Sequence, residues 1–202
     1  MIVGVLVGGR SRRMQEHPKG LLPAPREADG SRTTIVERTI ALAREIARAS
    51  ETSEIGEVVL VGRADAYAAT GMRVVEDHQA AVGEGPLAGL AGLLDYARGA
   101  NVIALACDMP YVTRAMLTTL ASYAPDAAAV APREEGKWSA LFARYDSRRA
   151  APAATALLAS GVRSVQALLD ACDTRELPLS PEERAALRDW DQPSDIEDEG
   201  TA

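Results

Sequence analysis

Aromatic side chains are scarce in this sequence, at 4% of 202 residues, with two tryptophans and a single phenylalanine. Its core must therefore be aliphatic. Single-strand nucleic-acid binders stack bases on aromatic platforms, and duplex binders present a basic face to phosphates. Neither is available in a chain of formal net charge −7, which argues against a nucleic-acid partner. Cysteine is nearly absent too. Cys107 and Cys172 form no C-x-x-C pair, so a disulfide framework and a zinc knuckle are excluded. His17 and His78 are too few for a histidine-rich metal site. No stretch approaches the ~20 apolar residues of a membrane span. The opening run Ile2–Val7 is too short for a signal peptide, and its basic residues follow rather than precede it. The expected location is the cytoplasm, with no membrane partner.

What is present is an alternation of short apolar runs and amphipathic segments. Strands are expected at Ile2–Val7, Val58–Val61, Arg73–Glu76, Asn101–Ala106, Ala127–Ala131 and Ser139–Arg144. Helices are expected from Thr34 to about Ser50, with Thr34 and Glu37 as a capping box, and from Pro86 to Arg98. Others are expected at Thr113–Tyr123, Ser147–Ser160, Ser164–Ala171 and Pro181–Asp189. Strands alternating with helices imply a parallel sheet covered on both faces. Without repeat or linker, residues 1–196 read as one domain and residues 197–202 as an acidic tail. Ligands of open α/β sheets bind beyond the C-terminal strand ends, which here are Gly8-Gly9, Gly62-Arg63, Glu76-Asp77 and Cys107-Asp108.

The richest segment is Leu6-Val7-Gly8-Gly9-Arg10-Ser11-Arg12-Arg13-Met14, with Lys19 shortly after. Paired glycines after a strand let backbone N–H groups approach a ligand. Arg10, Arg12, Arg13 and Lys19 add local positive charge suited to a polyphosphate. Neither G-x-x-x-x-G-K-[ST] nor G-x-G-x-x-G is present, so P-loop and dinucleotide-binding readings lose support. Asp108, just past an apolar strand and before Pro110, is placed to hold Mg²⁺ against substrate phosphates. Asp77, and Gly85-Pro86-Leu87-Ala88-Gly89 opening a helix, complete the same rim.

Taken together these motifs resemble the molybdenum cofactor guanylyltransferase family, within the larger nucleotidylyltransferase group. The carrying residues are Leu6 to Met14 with Lys19, Val75-Glu76-Asp77, Gly85 to Gly89, Cys107-Asp108-Met109-Pro110, and the closing stretch Asp189 to Ile196. The resemblance implies a three-layer, Rossmann-like α/β fold with a mostly parallel central sheet. It implies nucleotide contacts from Leu6, Val7, Gly8, Gly9, Ser11, Lys19, Asp77, Gly85, Pro86, Leu87 and Asp108. Arg13, Lys19 and Asp108 would act in catalysis, and Asp108 with Asp191 would hold Mg²⁺. The expected reaction transfers GMP from GTP to molybdopterin and releases pyrophosphate. Molybdoenzymes or cofactor-biosynthesis proteins would be transient partners.

The sequence departs from the family pattern at several positions. Gln15 replaces a glycine, Gly62 an asparagine, Lys137-Trp138 a His-Pro and Asp191 an asparagine, while residues 24–33 lengthen the loop after Lys19. At this point three alternatives remain open beside the guanylyl reading. They are a cytidylyltransferase, a sugar- or polyol-phosphate nucleotidylyltransferase, and a non-catalytic nucleotide-binding accessory protein.

Overall fold

The computed structural model describes residues 1–7, 18–25, 33–49 and 56–190. Among the described residues nine strands form in chain order. They are β1 (Ile2–Leu6), β2 (Glu57–Val61), β3 (Val74–Val75), β4 (Asn101–Ala106), β5 (Ala129–Ala131), β6 (Arg133–Glu134), β7 (Lys137–Trp138), β8 (Phe142–Asp146) and β9 (Thr174–Glu176). Six α-helices accompany them among the described residues: α1 (Ile35–Ala49), α2 (Pro86–Ala97), α3 (Arg114–Ser122), α4 (Ser147–Ala159), α5 (Val165–Ala171) and α6 (Pro181–Ala185).

Seven strands make the central sheet in the order β3-β2-β1-β4-β8-β5-β9. The β1, β2, β3 and β4 strands run parallel, as do β5 and β9. β8 is the exception, antiparallel to both β4 and β5. The sheet is thus mostly parallel, as the resemblance implies, with β8 as its one reversed strand. β6 and β7 form a separate two-stranded hairpin.

Side chains of each strand alternate between two apolar layers, as the two-residue strand period requires. Val59, Val61, Val102 and Ala104 face α2, α4 and α5. Val58, Leu60, Ile103 and Leu105 face α1 and α3. Both faces are covered, which explains why β1, β2 and β4 read as continuous apolar runs.

Helix starts follow their local chemistry. Thr34 and Glu37 exchange hydrogen bonds across the first turn of α1, with Thr34 N donating to Glu37 Oε2 at 2.8 Å. Pro86 occupies the first turn of α2, where a missing N–H costs nothing. Thr113, Asp146, Ser164 and Ser180 each cap the helix that follows. α2 lies close against the sheet edge because position 92 is glycine. A Cβ there would sit 2.2 Å from the carbonyl oxygen of Glu76, at the end of β3.

Two elements depart clearly from their expected bounds, and the strands β6, β7 and β9 were not expected. The strand expected at Ser139–Arg144 is β8, shifted toward the C-terminus and reversed. Its inner residues include Tyr145 and Arg144, which hydrogen-bond backbone carbonyls, although Arg144 Nε is buried without a partner among the described residues. Tyr145 Oη donates to Ala140 O, and Arg144 Nη2 donates to the carbonyls of Tyr123 and Ala124. The helix expected through Asp189 ends at Ala185. The charged edge strand β9 had no apolar alternation to announce it.

Candidate active site

Parallel register brings the C-terminal ends of four strands level. Leu6 pairs with Val61 on one side and Ala106 on the other, and Val61 pairs with Val75. The ladder continues one step past the strands: Val7 N donates to Val61 O at 3.1 Å, and Cys107 N to Leu6 O at 3.2 Å. Asp108 and Asp77 therefore stand on the same rim, either side of the point where β1 leaves the sheet.

Lys19 is brought to this rim by a short 3₁₀ turn, Lys19–Leu21, that follows Pro18. The segment after it pairs back on the start of α1, through a bridge between Pro23 and Thr34 and a bond from Ile35 N to Leu22 O at 3.0 Å. This returns the Lys19 ammonium to 3.1 Å from Asp108 Oδ2, across 89 residues of chain. Both side chains are about four-fifths buried, at 18% and 21% exposure. From the sequence, Glu16 is the nearest acidic residue to Lys19; the fold supplies Asp108 instead.

The turn bearing Asp108 is held from three directions. Cys107 N bonds β1, Trp190 N donates to Asp108 O at 2.9 Å, and Arg38 Nε of α1 donates to Pro110 O at 2.9 Å. Burial pushes the Cys107 thiol up to about 12, Asp108 adding to the shift while the Tyr67 hydroxyl and Lys19 offset part of it. Tyr67 itself is 3% exposed and packs its ring edge on Gly20, where a Cβ would come within 2.9 Å of Cε1. Burial raises the Tyr67 phenol strongly, and the Cys107 thiol raises it further. Tyr67 thus touches the neighbours of both Lys19 and Asp108.

The opposite side of the rim is built from β3 and the start of α2. Asp77 Oδ2 accepts from Gly83 N at 2.8 Å, folding the 78–84 loop back on itself. His78 N donates to Ala88 O at 2.9 Å, tying that loop to α2. Gly85 and Pro86 are exposed, whereas the Leu87 side chain is fully buried, so Leu87 can meet a ligand only through its backbone. Arg163, from the α4–α5 connection, pairs with Glu84 just before this turn. Gly62 at the end of β2 has φ 92, left-handed backbone that suits glycine.

The structure therefore brings together Leu6, Val7, Lys19, Asp77, Gly85, Pro86 and Asp108 along one edge. Gly8, Gly9, Ser11, Arg13 and Asp191 lie outside the described residues. Sequence reasoning missed Arg38 and Tyr67, and quoted Trp190 only within a motif. The one local signal was the size of Trp190 and Tyr67 in a chain so poor in aromatics.

The Asp108 carboxylate, with the Lys19 ammonium 3.1 Å away, stands where the ends of β1 and β4 lie side by side, an arrangement that suits phosphate chemistry. A model of the MobA-like NTP transferase domain matches residues 3–175. This chain belongs to that family. Its activity class is nucleotidyl transfer.

Among the relatives of this MobA-like chain is a probable molybdenum cofactor guanylyltransferase of Pelotomaculum thermopropionicum. It is 31% identical over 142 residues, covering 70% of this chain, which spans 61% of that relative's length. The molybdenum cofactor guanylyltransferase of Pseudomonas putida is 33% identical over 168 residues, with 82% of this chain and 80% of the relative covered. In three dimensions the chain is similar to molybdopterin-guanine dinucleotide biosynthesis protein A of Archaeoglobus fulgidus. That match has a TM-score of 0.69 at 20% identity and covers 98% and 96% of the two chains. At that identity the likeness supports the α/β nucleotidyltransferase fold. Among the described residues no helix is long and apolar enough to cross a membrane.

Proposed function

We propose that this chain is a Mg²⁺-dependent guanylyltransferase that moves GMP from GTP onto molybdopterin and releases pyrophosphate, in the cytoplasm. The observation that carries the reading is the 3.1 Å pair of Lys19 and Asp108 at the shared ends of β1 and β4. A cation already sits against the Asp108 carboxylate, a hard oxygen donor on a restrained turn. Among the described residues no group of three or more His, Cys, Asp or Glu could hold a metal. Mg²⁺ is commonly bound by one or two carboxylates and completed by substrate phosphates and water. Asp108, with Asp191, would hold it. When bound, Mg²⁺ neutralises charge on the donor and acceptor phosphates.

The protein's part is positioning and charge stabilisation. A phosphate oxygen of the acceptor attacks the α-phosphorus, the α–β bridging bond breaks, and pyrophosphate departs. Lys19, with Arg13, would stabilise the charge that collects on the leaving group. The acceptor phosphate is ionised at neutral pH, so no general base is needed. A covalent cysteine intermediate has no support, since the Cys107 thiol, buried and raised to about 12, stays protonated. Backbone groups from Leu6 to Gly9 would read the base edge, and Asp77 would meet the nucleoside.

The test is pyrophosphate release with molybdopterin and each NTP in turn, with and without Mg²⁺. GTP should be preferred, with a tolerance widened by about fivefold because Gly62 offers no side-chain amide. A preference for CTP of tenfold or more would assign the cytidylyl reaction instead. Turnover only with a sugar or polyol phosphate would replace the acceptor, and no turnover with any NTP would overturn the enzymatic reading.

A further inference from the structure

Trp190 is 1% exposed, the largest fully buried side chain of the protein. It does not belong to either of the two large apolar layers. It forms a small third cluster with Ala24 and Ile35, against which Leu22 and Tyr111 pack. Those residues come from the parts of the chain that build the Lys19–Asp108 site. Leu22 and Ala24 follow the Lys19 turn and lie on the arm that bridges to Thr34. Ile35 begins α1. Tyr111 is three residues past Asp108 and meets the indole edge-on, with ring centroids 6.0 Å apart. Arg188, two residues before Trp190, covers Tyr111, with its guanidinium 4.8 Å from the ring centre and a 3.0 Å bond to the hydroxyl. The backbone N–H of Trp190 then donates to the carbonyl of Asp108 itself, at 2.9 Å.

We propose that Trp190 is a positioning residue for Asp108, its buried indole fixing the backbone whose N–H holds the Asp108 turn against the Lys19 arm. The proposal rests on the reading of Asp108 as the working carboxylate. The indole contributes by filling space. Its Nε1 is buried without a hydrogen-bond partner among the described residues. A phenyl ring in the same place would lose no hydrogen bond and would keep the ring-edge contact to Tyr111. Alanine would open a cavity between the Lys19 arm and the Asp108 turn, and the neighbours would close on it only partly. The Trp190 backbone would then be free to swing, and the Asp108 carbonyl would lose its donor while the carboxylate kept its charge. Such a defect acts on the geometry around Asp108 and leaves nucleotide contacts at β1 and α2 in place.

The experiment compares Trp190→Ala and Trp190→Phe in the full chain, well below the unfolding temperature of each. Hydrogen exchange is read first, because it needs no substrate. In Trp190→Ala, peptides covering Cys107–Tyr111 should exchange at least about tenfold faster, while those of β2 and α2 keep their wild-type rates. Trp190→Phe should match wild type within about threefold. Turnover is read second. Trp190→Ala should raise the Mg²⁺ concentration for half-maximal pyrophosphate release by about fivefold or more, with the KM for GTP changed less than about twofold, and Trp190→Phe should restore the wild-type Mg²⁺ curve. Unchanged exchange at Cys107–Tyr111 in the alanine variant overturns the proposal. So does a uniform rise in exchange over the whole chain, which would make Trp190 a general stability residue. If Trp190→Ala does not fold, Trp190→Leu takes its place with the same criteria. An absence of turnover in the wild type would count against the guanylyl reading alone, and the exchange result would still decide the role of Trp190.

Discussion

Two glycines three residues apart on α2, Gly89 and Gly92, separate stability from site geometry. At Gly92 an added Cβ would lie 2.2 Å from the Glu76 carbonyl oxygen and 3.2 Å from His78 N. Ordinary contact begins near 3.4 Å, so Gly92→Ala leaves the helix and β3 about 1.2 Å too close. The obstacle is backbone and cannot rotate away. Overpacking of this kind costs about 3 kcal/mol at the upper end of its range, and alanine recovers about 1 kcal/mol of helix propensity, for a net loss near 2 kcal/mol. For a chain of this size that lowers Tm by about 4–8 °C. At Gly89 the nearest atoms are Asp77 Oδ1 and Val61 Cγ1, both at 3.3 Å and both side-chain ends. Gly89→Ala gains the same propensity against a milder contact, so its Tm should stay within about 3 °C of wild type. It presses on the Asp77 carboxylate, however, and should raise the KM for GTP several-fold if that carboxylate meets the nucleoside. Thermal unfolding and nucleotide kinetics on the two variants check both halves. A Gly92→Ala protein as stable as wild type, or more so, would refute the close approach of α2 to β3. An unchanged KM in Gly89→Ala would refute the role of Asp77.

Three further outcomes follow from the site. Asp108→Asn should lower turnover by at least two to three orders of magnitude, about the range for deleting a preorganised charged group, while leaving the unfolding transition cooperative; near-normal activity at low-millimolar Mg²⁺ would remove Asp108 from the mechanism. Lys19→Ala should lower kcat/KM by about 10²–10³, and a change under about threefold would make the lysine only the structural counter-ion of Asp108. The Cys107 thiol, raised from 9.0 to about 12 in the fold, should make stability fall as pH rises. Its contribution is fully present below pH 9, where the unfolded thiol keeps its proton, and is lost between 9 and about 12 as only the unfolded state ionises. Urea midpoints at stepped alkaline pH should show this slope, and Cys107→Ala should flatten it in part, since the raised Tyr67 and Tyr145 phenols act in the same direction.

The rim was legible because its parts are local. A β-branched or aliphatic run such as Ile2–Leu6 or Asn101–Ala106, ended by a breaker or an acidic residue, defines both a strand and where its ligand end lies. The same holds for Pro86 and the Thr34–Glu37 box, whose chemistry is complete within four residues. The reversed strand β8 was less legible, because its buried Arg144 and Tyr145 are tolerated only through carbonyls supplied by α3's exit and by Ala140. No spacing in the chain encodes such partners. The 3.1 Å approach of Lys19 to Asp108 belongs to the same class. Its distance is set by the fold-back of the Lys19 arm onto Thr34 and Ile35, by Tyr67 beneath Gly20, and by Trp190 behind the Asp108 turn. Motif residues name the chemistry, whereas these distant supports decide whether the charges meet at a useful separation. A relative that keeps Lys19 and Asp108 but lacks a filler at position 190 or a ring at position 67 should therefore hold the same two charges in a looser and less active arrangement.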